Sequence, residues 1–223
     1  MAKALRRVLA ERGTELSHGE ALECVARQLG WRDWNTLSAR LDRPVLRLAK
    51  GWIVDGSNPE YYEMGVDDTE GAALIRSRPA LFDLHPSDRP GGFGTLMQSI
   101  EVGRYRGGRV RLDAQLKCRD VSGAATMWLR VDGERRNTLA FDNMEHRERD
   151  GALSGTCDWQ DRTIVLDVPD NAQSIHFGFF LRGEGYAWAR RFRLSDAGTA
   201  EPTVDGRYAH KPEPTNLDFM DAV

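Results

Sequence analysis

Three side chains that alternate along one short segment carry most of the chemical potential of this chain. From Thr126 to Asp132 the order is Thr, Met, Trp, Leu, Arg, Val, Asp, and an extended strand sends successive residues to opposite faces. Trp128, Arg130 and Asp132 therefore share one face, and Met127, Leu129 and Val131 the other. An indole beside a guanidinium and a carboxylate makes a floor for a polar, ring-bearing ligand, because the ring offers an apolar face while the Arg fork pairs with hydroxyls or a carboxylate. As a plain surface pair, Arg130 and Asp132 would contribute no more than about 1 kcal/mol, and Trp128 would equally suit an ordinary core. The segment reads as one arm of a β-hairpin from Thr126 to Met144. Its return arm carries Asp142 and Asn143, which face opposite ways if the arm is regular. Asn143 is the better contributor, since an amide reads hydroxyls without the cost of desolvating a charge.

Other polar groups fall at suggestive places. On a strand expected over 94 to 102, Gln98 shares a face with Leu96 and Ile100, while Met97 and Ser99 take the other. Beside Arg130, Gln98 would give a ligand both a donor and an acceptor; the alternative is that it satisfies a buried backbone group. Alternation along Tyr61-Tyr62-Glu63-Met64 puts Tyr61 with Glu63. A carboxylate near rings and an Arg becomes a general base if burial raises its pKa, although a solvated or paired Glu63 is the simpler reading. The expected ligand-binding set is thus Gln98, Trp128, Arg130, Asp132 and Asn143, with Glu63 and Asp132 as acid/base candidates.

Several chemistries lack support. His18, His85, His146, His176 and His210 show neither HxH nor HxxxH spacing, so no metal site is indicated. No Asp/Asn ladder for calcium, P-loop, GxSxG elbow or dinucleotide fingerprint occurs, and Gly91-Gly92-Phe93-Gly94 reads as a turn. No cofactor is expected. Cys24, Cys118 and Cys157 are odd in number and far apart in sequence, which reads as free thiols.

The positioning elements divide in two. The 223 residues are 40% apolar and 29% charged with a net charge of -3, which argues against a dedicated nucleic-acid binder. Residues 1 to 50 hold 10 Lys and Arg against 6 Asp and Glu, leaving 21 against 28 for the rest. No apolar stretch reaches the roughly 18 residues of a membrane span, and the N-terminus opens on an Arg-bearing amphipathic segment instead of a signal peptide; a cytoplasmic location is expected.

Leu5, Val8 and Leu9 recur at helical spacing before Gly13. Ser17 and Glu20 form a capping-box start for a helix with Ala21, Leu22, Val25, Ala26 and Leu29 on its buried stripe. Asp33 caps a third, through Trp34, Leu37 and Leu41. A three-helix unit over 1 to 42 results, then a linker over 43 to 50 with Pro44. Leu16 to Leu41, LSHGEALECVARQLGWRDWNTLSARL, resembles a helical appendage of bacterial glyoxalase-related proteins. That resemblance brings no chemistry, since the metal ligands and repeats of glyoxalases are not visible. The unit is expected to dock a protein partner or a second copy; the few positive residues of its third helix, Arg32 and Arg40, argue against DNA.

From residue 51 the period changes to two. Gly and Pro punctuate short apolar runs, as in an antiparallel β-sandwich. Strands are expected near 51 to 55, 61 to 66, 72 to 77, 94 to 102, 108 to 118, 125 to 132, 138 to 143, 161 to 167, 174 to 182 and 186 to 194, with an irregular loop over 83 to 93. Asp158 to Ser195 resembles the closing strands of galactose-binding-like jelly rolls, the sandwich of many carbohydrate-binding modules, through Trp159, Val168-Pro169, Gly178-Phe179, Gly183 and Trp188. Ala189 and Arg190 stand where that pattern often has an acid. The stretch Gly51 to Leu194, with GWIVDGSNPEYYEMGVD, GFGTLMQSI and MWLRVDG, resembles an uncharacterised bacterial domain associated with AraC-type transcriptional regulators. The fold expected is mainly β: a jelly-roll sandwich over 51 to 195 after the helical unit, with a disordered tail over 196 to 223. Three functions compete: a non-catalytic protein holding a small polar, sugar-like ligand on the concave face; a lyase, isomerase or cyclase using the same cavity; and a DNA-binding regulator with a ligand-sensing jelly roll.

Overall fold

The structure, a computed structural model, describes residues 1–41, 45–78 and 92–198. The chain forms two compact units, Met1–Val45 and Leu46–Val223. Most of the loop expected over 83 to 93, nearly all of the tail, and His85 and His210 lie outside the described residues.

In the first unit, α1 (Ala2–Ala10), α2 (His18–Gln28) and α3 (Trp34–Leu41) form where expected, with Ala21, Val25, Ala26 and Leu37 buried. Leu29, expected on the buried stripe, is instead the exposed residue that caps α2, and Val8 is exposed on α1. Ser17 and Glu20 close a reciprocal capping box at 2.8 and 3.2 Å, satisfying two donors that the helix start would leave orphaned. Asp33 accepts from the Thr36 amide at 2.7 Å and its hydroxyl at 2.6 Å. Those bonds, with Arg32 beside it, hold the Asp33 carboxyl at about 2. Gly13 ends the first helix in the left-handed region, at φ 77°, a conformation that residues with a Cβ adopt only under strain.

The second unit is a jelly-roll β-sandwich whose nine strands, among the described residues, are β1 (Ile53–Gly56), β2 (Tyr62–Asp67), β3 (Ala72–Ser77), β4 (Phe93–Glu101), β5 (Arg109–Asp132), β6 (Thr138–Asp142), β7 (Leu153–Asp167), β8 (Ser174–Arg182) and β9 (Tyr186–Asp196). Every pairing is antiparallel, in the order β1-β4-β8-β5-β9-β3-β2, with β6 and β7 also on β5. The expected strands over 108 to 118 and 125 to 132 are one 24-residue strand. Its first half pairs with β9 and its last third with β8 and β6, so β5 passes from one sheet of the sandwich to the other. Register shifts against β7 between Leu116 and Ala125 mark the crossing; bulges bend a strand where a sheet must turn. β7 starts at Leu153, well before the expected 161.

Between the sheets lies the main core, with Leu112, Leu116, Met127, Leu129, Ile164, Ile175, Phe179 and Leu181 almost fully buried. The residues expected to 50 as linker join this unit from Leu46: the Val66 amide donates to the Arg47 carbonyl at 2.8 Å, and Leu46 packs with Leu74 and Trp188. Tyr61 ends a short 3-10 helix, Pro59–Tyr61, instead of alternating with Glu63 on a strand.

Candidate functional site

The outer face of the sheet formed by β1, β4, β8, the end of β5 and β6 carries the site. Strand register aligns Met97, Gly178 and Trp128 in one row and Ser99, His176, Arg130 and Phe141 in the next. Gly178 is required in its row, because a Cβ there would lie 2.1 Å from the Leu96 carbonyl oxygen; β4 and β8 approach too closely for any side chain.

Over these rows lies a half-open cavity of about 430 Å³. Phe93, Met97, Trp128, Phe141 and Phe180 supply its apolar walls, and Arg130, Asn143, Glu145, Arg182, Asp55 and Thr95 its polar groups. That size and mixture suit a small ligand held by apolar area and oriented by a few polar contacts. Trp128 is buried, but in a cluster with Met97, Ala124 and Phe180 that is separate from the main core. Its N–H donates to Thr95 Oγ at 3.0 Å, so the indole presents only its apolar surface to the cavity.

Arg130 lines the cavity with one edge and ties down the other. Its Nη2 lies 3.0 Å from Asp132 Oδ2. Asp132 is almost wholly buried and accepts from Thr138 Oγ at 3.2 Å; it sits behind Arg130 and does not line the cavity. The carboxylate expected as ligand contact or acid/base is thus the counter-ion that fixes the guanidinium. Asn143 does reach the cavity, but both ends of its amide are engaged by Glu145: Nδ2 donates to Oε2 at 2.7 Å, and Oδ1 accepts from the Glu145 amide at 3.2 Å. Glu145 also pairs with Arg182. Asp142 faces away, with the Met144 amide at 2.7 Å and Arg147 as partners.

Two expected residues are not brought to this face. Gln98 keeps its place with Leu96 on the opposite side of β4, opposite Phe177 and toward the main core; the strand alternation that puts Trp128 and Arg130 outside puts Gln98 inside. Glu63 lies on β2 in the other sheet, bound to Arg76 at 2.7 and 2.8 Å. Its partner is a buried guanidinium, which suits a structural carboxylate more than a base.

Residues that sequence reasoning missed include Phe180 and Arg182, which alternate with the core residues Phe179 and Leu181 along β8. The period of two was a readable signal for them. Phe141 is the ladder partner of Arg130, which only the register reveals. Another grouping came from register alone: Ser99 Oγ lies 2.8 Å from His176 Nδ1, while His176 Nε2 lies 2.9 Å from Ser174 Oγ and 3.3 Å from Asp132 Oδ2. Burial, and then Arg130, push the His176 pKa below its ordinary 6.5 despite the opposing pull of Asp132. Cys118 and Cys157, far apart in sequence, face each other across β5 and β7 with sulfurs 3.3 Å apart. Among the described residues no three His, Cys, Asp or Glu side chains gather as a metal site requires, and no helix is long and apolar enough to cross a membrane.

Comparison with known proteins bears on both units. A family model described as glyoxalase superfamily protein matches residues 1–63, in keeping with the resemblance of the helical segment. A relative in Bacillus subtilis (strain 168), the uncharacterized HTH-type transcriptional regulator YbfP, is 35% identical over 172 residues. The match covers 76% of this chain and 56% of the relative, so the chain spans little more than half of that protein's length. Similar solved structures include a CBM4 module, 18% identical, covering 70% of this chain and 96% of the module at a TM-score of 0.45. Another is the CBM22-1 xylan-binding domain of Paenibacillus barcinonensis Xyn10C, 10% identical, covering 70% and 92% at 0.44.

Proposed function

We propose that the β unit is a binding module that holds a small, polyhydroxylated, ring-bearing ligand such as a sugar in the cavity over Trp128 and Arg130. The observation that carries this reading is the pairing of aromatic walls with fixed polar groups. Phe93, Trp128, Phe141 and Phe180 offer ring faces, while Arg130 is clamped by Asp132 and Arg182 by Glu145. Clamped forks lose little freedom when they meet hydroxyls. Their charges are matched by carboxylates, which favours a neutral polyol over a strongly charged ligand.

Calorimetric titration with a panel of mono- and oligosaccharides and polyols tests it. Binding is expected for at least one member, weakened at least about tenfold by Trp128→Ala, a loss of roughly 1.4 kcal/mol. Absence of heat across the panel, or equal affinity in the variant, rejects the reading.

The helical unit is assigned to docking, either on a protein partner or on a second copy. An almost wholly apolar groove of about 470 Å³, lined by Met1, Leu22, Val25, Leu29 and Leu37 among others, supports this. Leu29→Glu should then lower the mass found by sedimentation equilibrium or abolish partner capture. A regulator whose jelly roll senses ligand is the second reading, favoured by the likeness to a protein named as an HTH-type regulator. Retarded DNA migration that weakens with added salt would support it.

A further inference from the structure

Beside the cavity floor Ser99 and His176 share one row and Asp132 stands in the next, a nucleophile, a base and a carboxylate in contact. Ligand binding uses only the carboxylate, as the clamp on Arg130. Ser99 is exposed on β4. Its Oγ lies 2.8 Å from His176 Nδ1. On the far side of the ring, Nε2 faces Ser174 Oγ at 2.9 Å and the buried carboxylate of Asp132 at 3.3 Å. A carboxylate beside Nε2 favours the tautomer that carries its proton there. Nδ1 is then the lone-pair nitrogen, and the hydrogen bond to it must come from the Ser99 hydroxyl. Such an arrangement is recognised by geometry and roles, whatever the chain order or fold.

We propose that Ser99, His176 and Asp132 form an acyl-transfer site that hydrolyses small carboxylic esters, with Ser99 as the nucleophile. Ser99 Oγ attacks the ester carbonyl carbon, and the C=O electron pair moves onto oxygen. The hydroxyl proton passes to His176 Nδ1, and Asp132 stabilises the imidazolium from the Nε2 side. Arg130, the ladder partner of His176 on β5, lies across the ring from Ser99 and holds the Asp132 carboxylate in place through Nη2 at 3.0 Å. Collapse of the intermediate breaks the C–O bond to the leaving alcohol, which takes the proton from Nδ1. Water then attacks acyl-Ser99 by the same route and releases the acid, so ester and water become acid and alcohol with no other reactant. The apolar wall formed by Met97 and Trp128 lies one residue row away, ready for the organic part of the ester. Burial and Arg130 keep the ring neutral at physiological pH, the state a general base needs. This activity stands apart from sugar binding and does not rest on it.

The test is covalent labelling of the intact 223-residue chain with an alkyl fluorophosphonate, in which Ser Oγ attacks phosphorus and fluoride leaves. One adduct per chain is expected by intact mass, mapped by peptide sequencing to Ser99 and absent in Ser99→Ala. His176→Gln should slow labelling by about 100-fold or more, and hydrolysis of p-nitrophenyl acetate should follow the same order of variants. Circular dichroism of each variant checks its fold; if His176→Gln unfolds, Ser174→Ala, which removes the 2.9 Å partner of Nε2 and leaves only the longer contact with Asp132, replaces it, with slowing again expected. No adduct beyond the Ser99→Ala level, an adduct on another residue, or labelling unchanged in the folded His176 or Ser174 variant overturns the proposal.

Discussion

The indole N–H of Trp128 donates to Thr95 Oγ at 3.0 Å, and that hydroxyl donates onward to the Phe179 carbonyl at 2.8 Å. The relay joins β5 to β4 and β4 to β8, the three strands that make the cavity floor. Both side chains are buried, so each donor depends on its partner. Thr95→Val keeps the shape but removes the link, leaving an indole N–H with no acceptor. The expected cost is about 1–3 kcal/mol, read as a lower urea midpoint with an unchanged slope. A midpoint equal to the parent's would show that the relay does not fix the floor.

Glu63 provides the contrast, because it lies in the other sheet and is bound to Arg76 with 2.7 Å between Nη2 and Oε2. Glu63→Gln should cost about 1.5–3 kcal/mol, the usual worth of a hydrogen bond to a charged group. Affinity for any ligand found in the calorimetric panel should stay within about twofold, under roughly 0.4 kcal/mol. Loss of affinity with stability retained would return Glu63 to the site.

Cys118 and Cys157 yield a prediction about reactivity. Burial, and then the neighbouring thiol, push Cys118 up to about 12. At pH 8 such a thiol is thiolate in about one part in ten thousand, and only the thiolate alkylates. Iodoacetamide on the native protein should therefore leave Cys118 unmodified while the partly exposed Cys24 reacts, and urea should open Cys118 to labelling. Because the folded value lies above the 9.0 of the unfolded thiol, this contribution is complete below pH 9 and is lost as pH rises from there. Native labelling of Cys118 as fast as Cys24 would contradict the burial argument.

The sandwich and the helical unit were legible because both rest on periodicity. Capping at Ser17 and Asp33, and alternation along β3 and β8, follow from residues close together in the chain, where side-chain spacing is set by local geometry. The Trp128 and Arg130 face was legible for the same reason. What the sequence withheld depends on register. Gln98 alternates with its neighbours as expected, yet which of its faces meets the core follows from the pairing of Gln98 with Phe177 and of Phe177 with Leu129. Asp132 shares a face with Arg130, but its burial comes from Thr138 and His176 on other strands. Likewise, nothing in the spacing of Ser99 and His176, or of Cys118 and Cys157, announces a contact. The continuity of β5 was hidden by Asp120, Ser122 and Gly123, whose types suggest a turn but which here occupy the bulged crossing between the sheets.

His176 makes stability depend on pH in a defined direction. Around it lie Arg130, Arg136, Asp132, Ser99 and Ser174. Burial and the two arginines outweigh Asp132, so the folded ring binds a proton less readily than the unfolded one, whose ordinary value is 6.5. Below pH 6.5 the unfolded chain takes up more protons than the folded one, and linkage then makes stability fall as pH falls. The loss should begin near 6.5 and stop growing once the pH is below the folded value. Urea midpoints of the β unit between pH 7.5 and 5 should decline, and His176→Gln, which cannot titrate, should flatten that part of the curve. Asp33, held at about 2 by its cap bonds, acts in a separate window: its contribution is present above 3.8 and is lost only as pH falls toward 2. A decline between 7.5 and 5 that persists unchanged in His176→Gln would assign the effect to another group and remove the electrostatic case for a neutral imidazole beside Ser99.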